Sequence, residues 1–227
     1  MSYDKIEAIA KIKNPFPEKF GIPRQSNMTN IVSEIIFEPK YRDINAVRGL
    51  SEFSHIWVLW KFSGFDSQDW SPTVRPPRLG GNTRMGVFAT RSPNRPNSIG
   101  LSSLKLINVD TECENAPVLT VCGADMVDGT EIYDVKPYIP FSDCHTDAIG
   151  GYTDAYKEYK LNVHIPDTIK CNWDVDLVEK ISQILSLDPR PSYQEDPERE
   201  YGMNFSGYNI KFKVINNDLH VISVKQD

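Results

Sequence analysis

The chain lacks most of the patterns that advertise familiar enzyme chemistry. It has no GxGxxG fingerprint and no Gly-Lys-Ser/Thr phosphate loop, so Rossmann and P-loop nucleotide sites are not expected. Its glycine-rich run, GGNTRMG (Gly80–Gly86), is without the strand-turn-helix setting and the lysine-hydroxyl pair of such loops. A GxSxG nucleophile elbow is also missing. Only 4 histidines and 4 cysteines occur, with no HExxH and no CxxC, so neither a metal nor a dithiol centre is expected. Cys113, Cys122, Cys144 and Cys171 read as buried free thiols. No apolar run approaches the roughly 18 residues of a membrane helix. The N-terminal MSYDKIEAIAKIKNP has charge scattered through it, unlike a signal peptide. A soluble, cytoplasmic protein without a membrane partner is the expectation.

The most local absence is of acid. From Trp70 to Val109 there is no Asp or Glu, although the whole chain carries a net charge of −6. The same window holds Arg75, Arg78, Arg84, Arg91, Arg95 and Lys105. Its core, TVRPPRLGGNTRMGVFATRSPNRPNSIG (Thr73–Gly100), is punctuated by Pro76, Pro77, Pro93 and Pro96. A basic island of stiff loop in an acidic chain reads either as a localised anion site or as a solvated basic face.

The 227 residues are 40% hydrophobic and 11% aromatic, enough for one large domain or one domain with a smaller companion. Short apolar runs at Ile6–Ile12, Ile31–Phe37, His55–Phe62, Gly86–Thr90, Leu101–Val109, Val118–Cys122 and Ile132–Val135 predict strands of a barrel or sandwich. His55–Phe62 is apolar nearly throughout and reads as a strand buried on both faces. Asn45–Glu52 reads as a helical turn. Gly150-Gly151 marks a break, dividing residues 1–150 from 151–227. Beyond it, an amphipathic helix is predicted over Val175–Leu187, capped by Asp174 and stopped by Pro189. A terminal hairpin turns at Asn216-Asn217-Asp218. The class is therefore mainly β, with a small α+β C-terminal domain.

The acidic counterpart of the basic run is ADMVDGTEIYDVKPY (Ala124–Tyr138), in which Asp-Gly turns are also common as plain structure. Arginine forks hold carboxylate or phosphate with paired hydrogen bonds. Opposite-signed loops suit a ligand carrying both signs, and S-adenosylmethionine is one such ligand.

The basic run resembles the signature of the TsaA-like, or TrmO, tRNA methyltransferases. FGIPRQ (Phe20–Gln25), AVRGLSEFSHIWVLW (Ala46–Trp60), DMVDGTEIYDVKPYIPF (Asp125–Phe141) and DPRPSY (Asp188–Tyr193) are similar to that family as well. The resemblance implies a TsaA-like β-barrel that binds S-adenosylmethionine without a Rossmann fold, in a homodimer. It implies methylation of N6 of the threonylcarbamoyladenosine next to the anticodon of threonine tRNA, with the C-terminal domain helping to recognise the tRNA. Carried over, the cofactor-binding residues are Pro23, Arg24, Gln25, Ser63, Gly64, Arg91, Leu101, Ala124, Asp125, Met126 and Val127. Ser63 and Gly64 depart from the family's pattern, as do Asn94 and Ser98. Arg75, Arg78, Arg84, Arg95, Arg190, Tyr193, Lys211 and Lys213 are candidates for the threonyl carboxylate and tRNA phosphates. For Lys211 and Lys213 a solvated strand face is the alternative; for Arg190 and Tyr193, a role closing the helix. Asp125 and Asp128 are candidate proton acceptors, and either could instead orient cofactor hydroxyls. A non-catalytic RNA-binding module using the same basic loops is the second reading. An enzyme acting on a small derivative of the cofactor is the third.

Overall fold

Alternation of apolar and polar residues along antiparallel strands places one face inward, and a sheet closed on itself leaves no open edge. The chain takes this solution. A computed structural model describes residues 6–64, 70–80, 82–191 and 196–226, and only the backbone of Arg78. Its strands are β1 (Ala10–Lys13), β2 (Val32–Phe37), β3 (His55–Lys61), β4 (Thr73–Val74), β5 (Met85–Gly86), β6 (Ile99–Asp110), β7 (Val118–Cys122) and β8 (Glu131–Pro137). A closed barrel runs β1-β2-β7-β6-β3-β8, with β4 and β5 forming a separate ribbon. Every barrel pairing is antiparallel.

In β3, Ile56, Val58 and Trp60 enter the core while His55, Trp57 and Leu59 are half-buried outside. The uniform apolarity of this strand therefore hides a strict alternation. Its outer face is partly covered: Trp57 Nε1 donates to Asp143 Oδ2 at 2.8 Å, and the Tyr138 ring lies 5.5 Å away. The interior is filled by Ala10, Ile12, Ile35, Leu104, Leu119, Val121, Ile132 and their neighbours.

Several sequence expectations need correction. Gly86–Thr90 is not a strand; β5 ends at Gly86 and Val87–Ala89 forms a 3-10 turn, closed by Thr90 Oγ1 donating to the Val87 carbonyl at 2.9 Å. The first strand begins at Ala10 rather than Ile6, where pairing with β2 starts. Asn45–Glu52 divides into two 3-10 turns, Ile44–Val47 and Leu50–Glu52, separated by the left-handed Gly49. The cysteines are free but not buried: Cys144 and Cys171 are exposed in connecting turns outside both cores.

The C-terminal sheet contains β9 (Asn162–His164), β10 (Tyr201–Phe205), β11 (Tyr208–Ile215) and β12 (Asp218–Gln226), ordered β10-β11-β12-β9. The short helices α1 (Pro140–Asp143) and α2 (Asp167–Lys170) precede α3 (Val175–Ser186). The Asp174 side chain caps α3 by accepting from the Asp176 N–H at 2.8 Å, as its sequence position predicts. Ile181, Ile184 and Leu185 of α3 pack on Met203, Phe205, Ile210, Phe212 and Leu219. β9 and β10 were not anticipated; β9 is three residues of ordinary polarity, and β10 follows a charged loop.

This second core is completed from the first half of the chain. The connection between β1 and β2 leaves the barrel and inserts Phe16 and Ile31, each 1% exposed, among the C-terminal side chains. Phe20 and Ile22 pack beside them. Gly21, at φ 93°, sits so close that a Cβ there would lie 2.2 Å from Met203 Sδ. Further ties are Ser206 N–H to the Pro15 carbonyl at 2.9 Å, Asn204 N–H to Glu18 at 3.0 Å, and Asn30 N–H to Gln183 at 3.0 Å. Replacing a buried Phe by Ala costs about 3–5 kcal/mol. Phe16→Ala is therefore expected to lower the urea midpoint by that much free energy; a loss below about 1 kcal/mol would remove Phe16 from the core.

Candidate functional site

The basic run builds a loop that is largely held by its own side chains. Arg95 donates to the carbonyls of Thr90 at 2.6 Å and Val87 at 3.3 Å, and its guanidinium lies 5.7 Å from the centre of the Phe88 ring. Arg84 donates to Thr73 Oγ1 at 2.8 Å, joining the two sides of the β4–β5 ribbon. Ser98 donates from Oγ to the Pro93 carbonyl at 3.0 Å, and its hydroxyl thus restrains the loop. The neighbouring departure, Asn94, takes part in the same loop, its N–H donating to Ser92 Oγ at 3.3 Å. Arg75 is exposed.

Arg91 behaves differently. Its NH1 donates to Gln25 Oε1 at 2.6 Å, reaching across to the β1–β2 connection. The Gln25 Nε2 donates to the Arg24 carbonyl at 2.6 Å. The charge of Arg91 also favours the ionised form of Asp125. Asp125 Oδ1 accepts from Ser102 Oγ at 2.6 Å, and Ser102 Oγ in turn accepts from Trp60 Nε1 at 2.9 Å. Ser102 and Trp60 both point into the barrel. Burial pushes the Asp125 carboxyl above the ordinary carboxylate range; hydrogen bonds from Ser102 and the backbone, with the charge of Arg91, pull it back only in part.

The structure therefore brings Gln25, Arg91 and Asp125 together, with Leu101 beside Ser102 on β6. Leu101 is 50% exposed on the outer face of that strand. Pro23, Ala124 and Met126 are buried, so their side chains shape the wall rather than face solvent. The Met126 carbonyl accepts from Asn14 Nδ2 at 2.7 Å and the Val127 carbonyl from Thr130 Oγ1 at 2.7 Å. Asp125 is the member of that segment whose carboxyl the Arg91 charge acts on. Ser63 and Gly64 follow β3, next to Lys19, whose Nζ lies 3.2 Å from a Cβ built on Gly64. Asp128 lies elsewhere: exposed, its Oδ1 accepts the Asn14 N–H at 2.9 Å as part of a turn.

Arg24 and Arg190 belong to one knot. Arg190 makes a paired contact with Asp188, Nε to Oδ1 at 2.9 Å and NH2 to Oδ2 at 3.1 Å, while Tyr159 Oη donates to Oδ2 at 2.9 Å. Arg24 NH2 donates to the carbonyls of Asp188 at 3.2 Å and Arg190 at 2.7 Å. Arg190 thus closes the end of α3. Lys211 and Lys213 lie on the solvated side of β11, with Lys213 Nζ 3.7 Å from Glu198. Tyr193 lies outside the described residues, as does the Arg78 side chain.

Two residues that sequence reasoning passed over hold the site from behind: Ser102, which carries Asp125, and Gly100. A Cβ at Gly100 would lie 2.2 Å from the Trp60 indole. The SIG of the basic run is the available signal, since a glycine entering a strand marks close approach. Among the described residues no cluster of three metal-ligating side chains occurs, and no helix is long and apolar enough to cross a membrane.

Comparison with known proteins gives a consistent picture. The family described as "tRNA-methyltransferase O N-terminal domain" matches residues 11–144, and "TrmO C-terminal domain" matches residues 160–227. The chain is 37% identical over 237 residues to the tRNA (adenine(37)-N6)-methyltransferase of Escherichia coli (strain K12), covering 99% of both. It is 36% identical over 215 residues to the putative S-adenosylmethionine-dependent methyltransferase RcsF of Pseudomonas aeruginosa, covering 87% of each. The crystal structure of TrmO from Pseudomonas aeruginosa superposes with a TM-score of 0.75 at 28% identity, over 99% of this chain and 100% of the other.

Gly100→Ala is expected to displace the Trp60 indole, break its hydrogen bond to Ser102 and cost about 1–3 kcal/mol through overpacking. Thermal unfolding measures this; an unchanged melting temperature would show that the indole is not pinned.

Proposed function

The chain belongs to the tRNA-methyltransferase O family, and from that premise we propose that it is an S-adenosylmethionine-dependent methyltransferase of tRNA adenosine 37. The single observation that carries the reading is the 2.6 Å hydrogen bond of Arg91 to Gln25 beside a desolvated Asp125 carboxyl that feels the Arg91 charge. Two neighbouring donors and a desolvated acceptor suit a ligand that is at once carboxylate, ammonium and polyol. S-adenosylmethionine supplies the methyl group from its sulfonium. Arg91 and Gln25 would hold its anionic and polar ends, and Asp125 would accept hydrogen bonds from its cationic or hydroxyl groups. Leu101 and the backbone of Ala124–Val127 would form the wall. Asp128 is exposed and serves as a turn acceptor for the Asn14 N–H, which favours Asp125 over Asp128 in this role.

The proposed acceptor is N6 of threonylcarbamoyladenosine beside the anticodon of threonine tRNA. That nitrogen is urea-like and weakly nucleophilic, so orientation at close range and exclusion of water contribute much of the acceleration. The exposed Arg75 and Lys211 support a role in tRNA contact. The C-terminal unit, residues 151–227, is proposed to take part in tRNA recognition. A homodimer that covers the exposed Phe88 and Leu101, both in the basic run, and a cytoplasmic place of action complete the reading.

Mass spectrometry of nucleosides from threonine tRNA, after incubation with the protein and S-adenosylmethionine, is expected to show one added methyl on the threonylcarbamoyl base. Retained tRNA binding without that methyl would favour a non-catalytic RNA-binding module. The raised Asp125 gives a second test. Below its folded-state value the carboxyl is protonated and no longer attracts a cation, so donor affinity is expected to weaken as pH falls through a range above the usual Asp value of about 3.9. Calorimetry should find that Asp125→Asn binds the donor more weakly and loses that pH dependence; a variant profile parallel to wild type would take Asp125 out of the site.

A further inference from the structure

The DPR turn after α3 holds no exposed cation for an outside ligand. Asp188 is 6% exposed, at the left-handed φ of 54°, and the Arg190 side chain is 11% exposed. Burial opposes ionisation of Asp188, yet Arg190 and Tyr159 outweigh it and hold the carboxyl below its ordinary range. A paired, desolvated carboxylate and guanidinium make a rigid turn. What that turn offers Arg24 is backbone: the carbonyls of Asp188 and Arg190 both accept from its NH2.

Arg24 lies between Pro23 and Gln25. Fixing its guanidinium fixes the direction in which Gln25 leaves, and Gln25 meets Arg91 at 2.6 Å. Hydrogen bonds thus run from Tyr159 and Asp188, through Arg24 and Gln25, to Arg91, whose charge favours the ionised form of Asp125. Phe16, Phe20, Ile22 and Ile31 seat the same connection in the C-terminal core.

We propose that the Asp188-Pro189-Arg190 turn is a positioning element for the methyl-donor site, acting through Arg24 on Gln25 and Arg91. The C-terminal unit then sets donor affinity even when no tRNA is bound. This rests on the methyltransferase reading above.

Calorimetric titration of S-adenosylmethionine into the full chain, without tRNA, tests it. Arg24→Ala is expected to raise the donor Kd about tenfold or more, the scale for losing a charged hydrogen bond beside a site. Arg24→Lys should recover part of this, because one ammonium can serve both carbonyls. Asp188→Asn should also raise the Kd, and the double variant should be no weaker than the worse single, since both break one linkage. In steady state the donor KM should rise while the tRNA KM stays within about twofold, an allowance for ordinary variation between variants. A merely structural role would lower the melting temperature without this split. Tyr159→Phe, which removes the hydroxyl that donates to Asp188, supplies a mild variant if Asp188→Asn does not fold, and should raise the donor Kd to a smaller degree. Unchanged donor affinity in folded Arg24→Ala, additive effects in the double variant, or a raised tRNA KM with donor binding intact would each overturn the proposal. Failure of the wild-type chain to bind the donor would overturn the methyltransferase reading together with it.

Discussion

Burial of Phe16 and Ile31 in the C-terminal core is the constraint on which the remaining geometry depends. Each fully buried large apolar side chain contributes on the order of 2 kcal/mol, and here the contribution is made across two folds. The β1–β2 connection cannot satisfy both the barrel and the C-terminal sheet unless it runs between them. Its route fixes where Pro23, Arg24 and Gln25 arrive, and so where Arg91 finds a partner. Packing, which is without direction, sets the frame; the hydrogen bonds of Arg24 and Arg91 then select one arrangement within it.

Charge counting suggested a cluster of arginines waiting for an anion. In the folded chain the arginines divide their work. Arg95 stitches irregular backbone to itself by donating to loop carbonyls, and Arg84 ties the loop to the Thr73 hydroxyl. Arg91 and Arg24 join segments far apart in sequence. Their positive potential persists in the acid-free loop even where their hydrogen bonds are internal. Long-range attraction for a polyanion and local stiffness therefore come from the same side chains.

Much of the barrel was legible because β2, β3, β6 and β7 are short apolar runs bounded by turn residues. The α3 helix was legible from its apolar stripe, its Asp174 cap and its proline stop. Gly86–Thr90 misled because Val87 and Phe88 have strand-like composition, while the surrounding prolines and glycines favour turns. β9 was hidden because its partner β12 lies far along the chain, and β10 because it follows a charged loop and has little strand-like composition of its own; pairing rather than composition makes both strands. The convergence of Gln25, Arg91 and Asp125 was readable only through family resemblance, since no local pattern connects positions so distant. Ser102 was invisible for a plainer reason: a serine in a strand looks like surface until the barrel closes around it.

The exchange of Phe16 and Ile31 between halves also separates two meanings of a boundary. A cut at Gly150-Gly151, the break read from sequence, would not divide the packed cores, because the excursion from Asn14 to Ile31 crosses between them. A graft that moved residues 151–227 onto another barrel would leave a hydrophobic hole in the moved piece and a bare apolar loop on the piece left behind. The unit that can be transplanted is not a contiguous stretch, so a C-terminal unit and the β1–β2 connection must change in step if either changes at all.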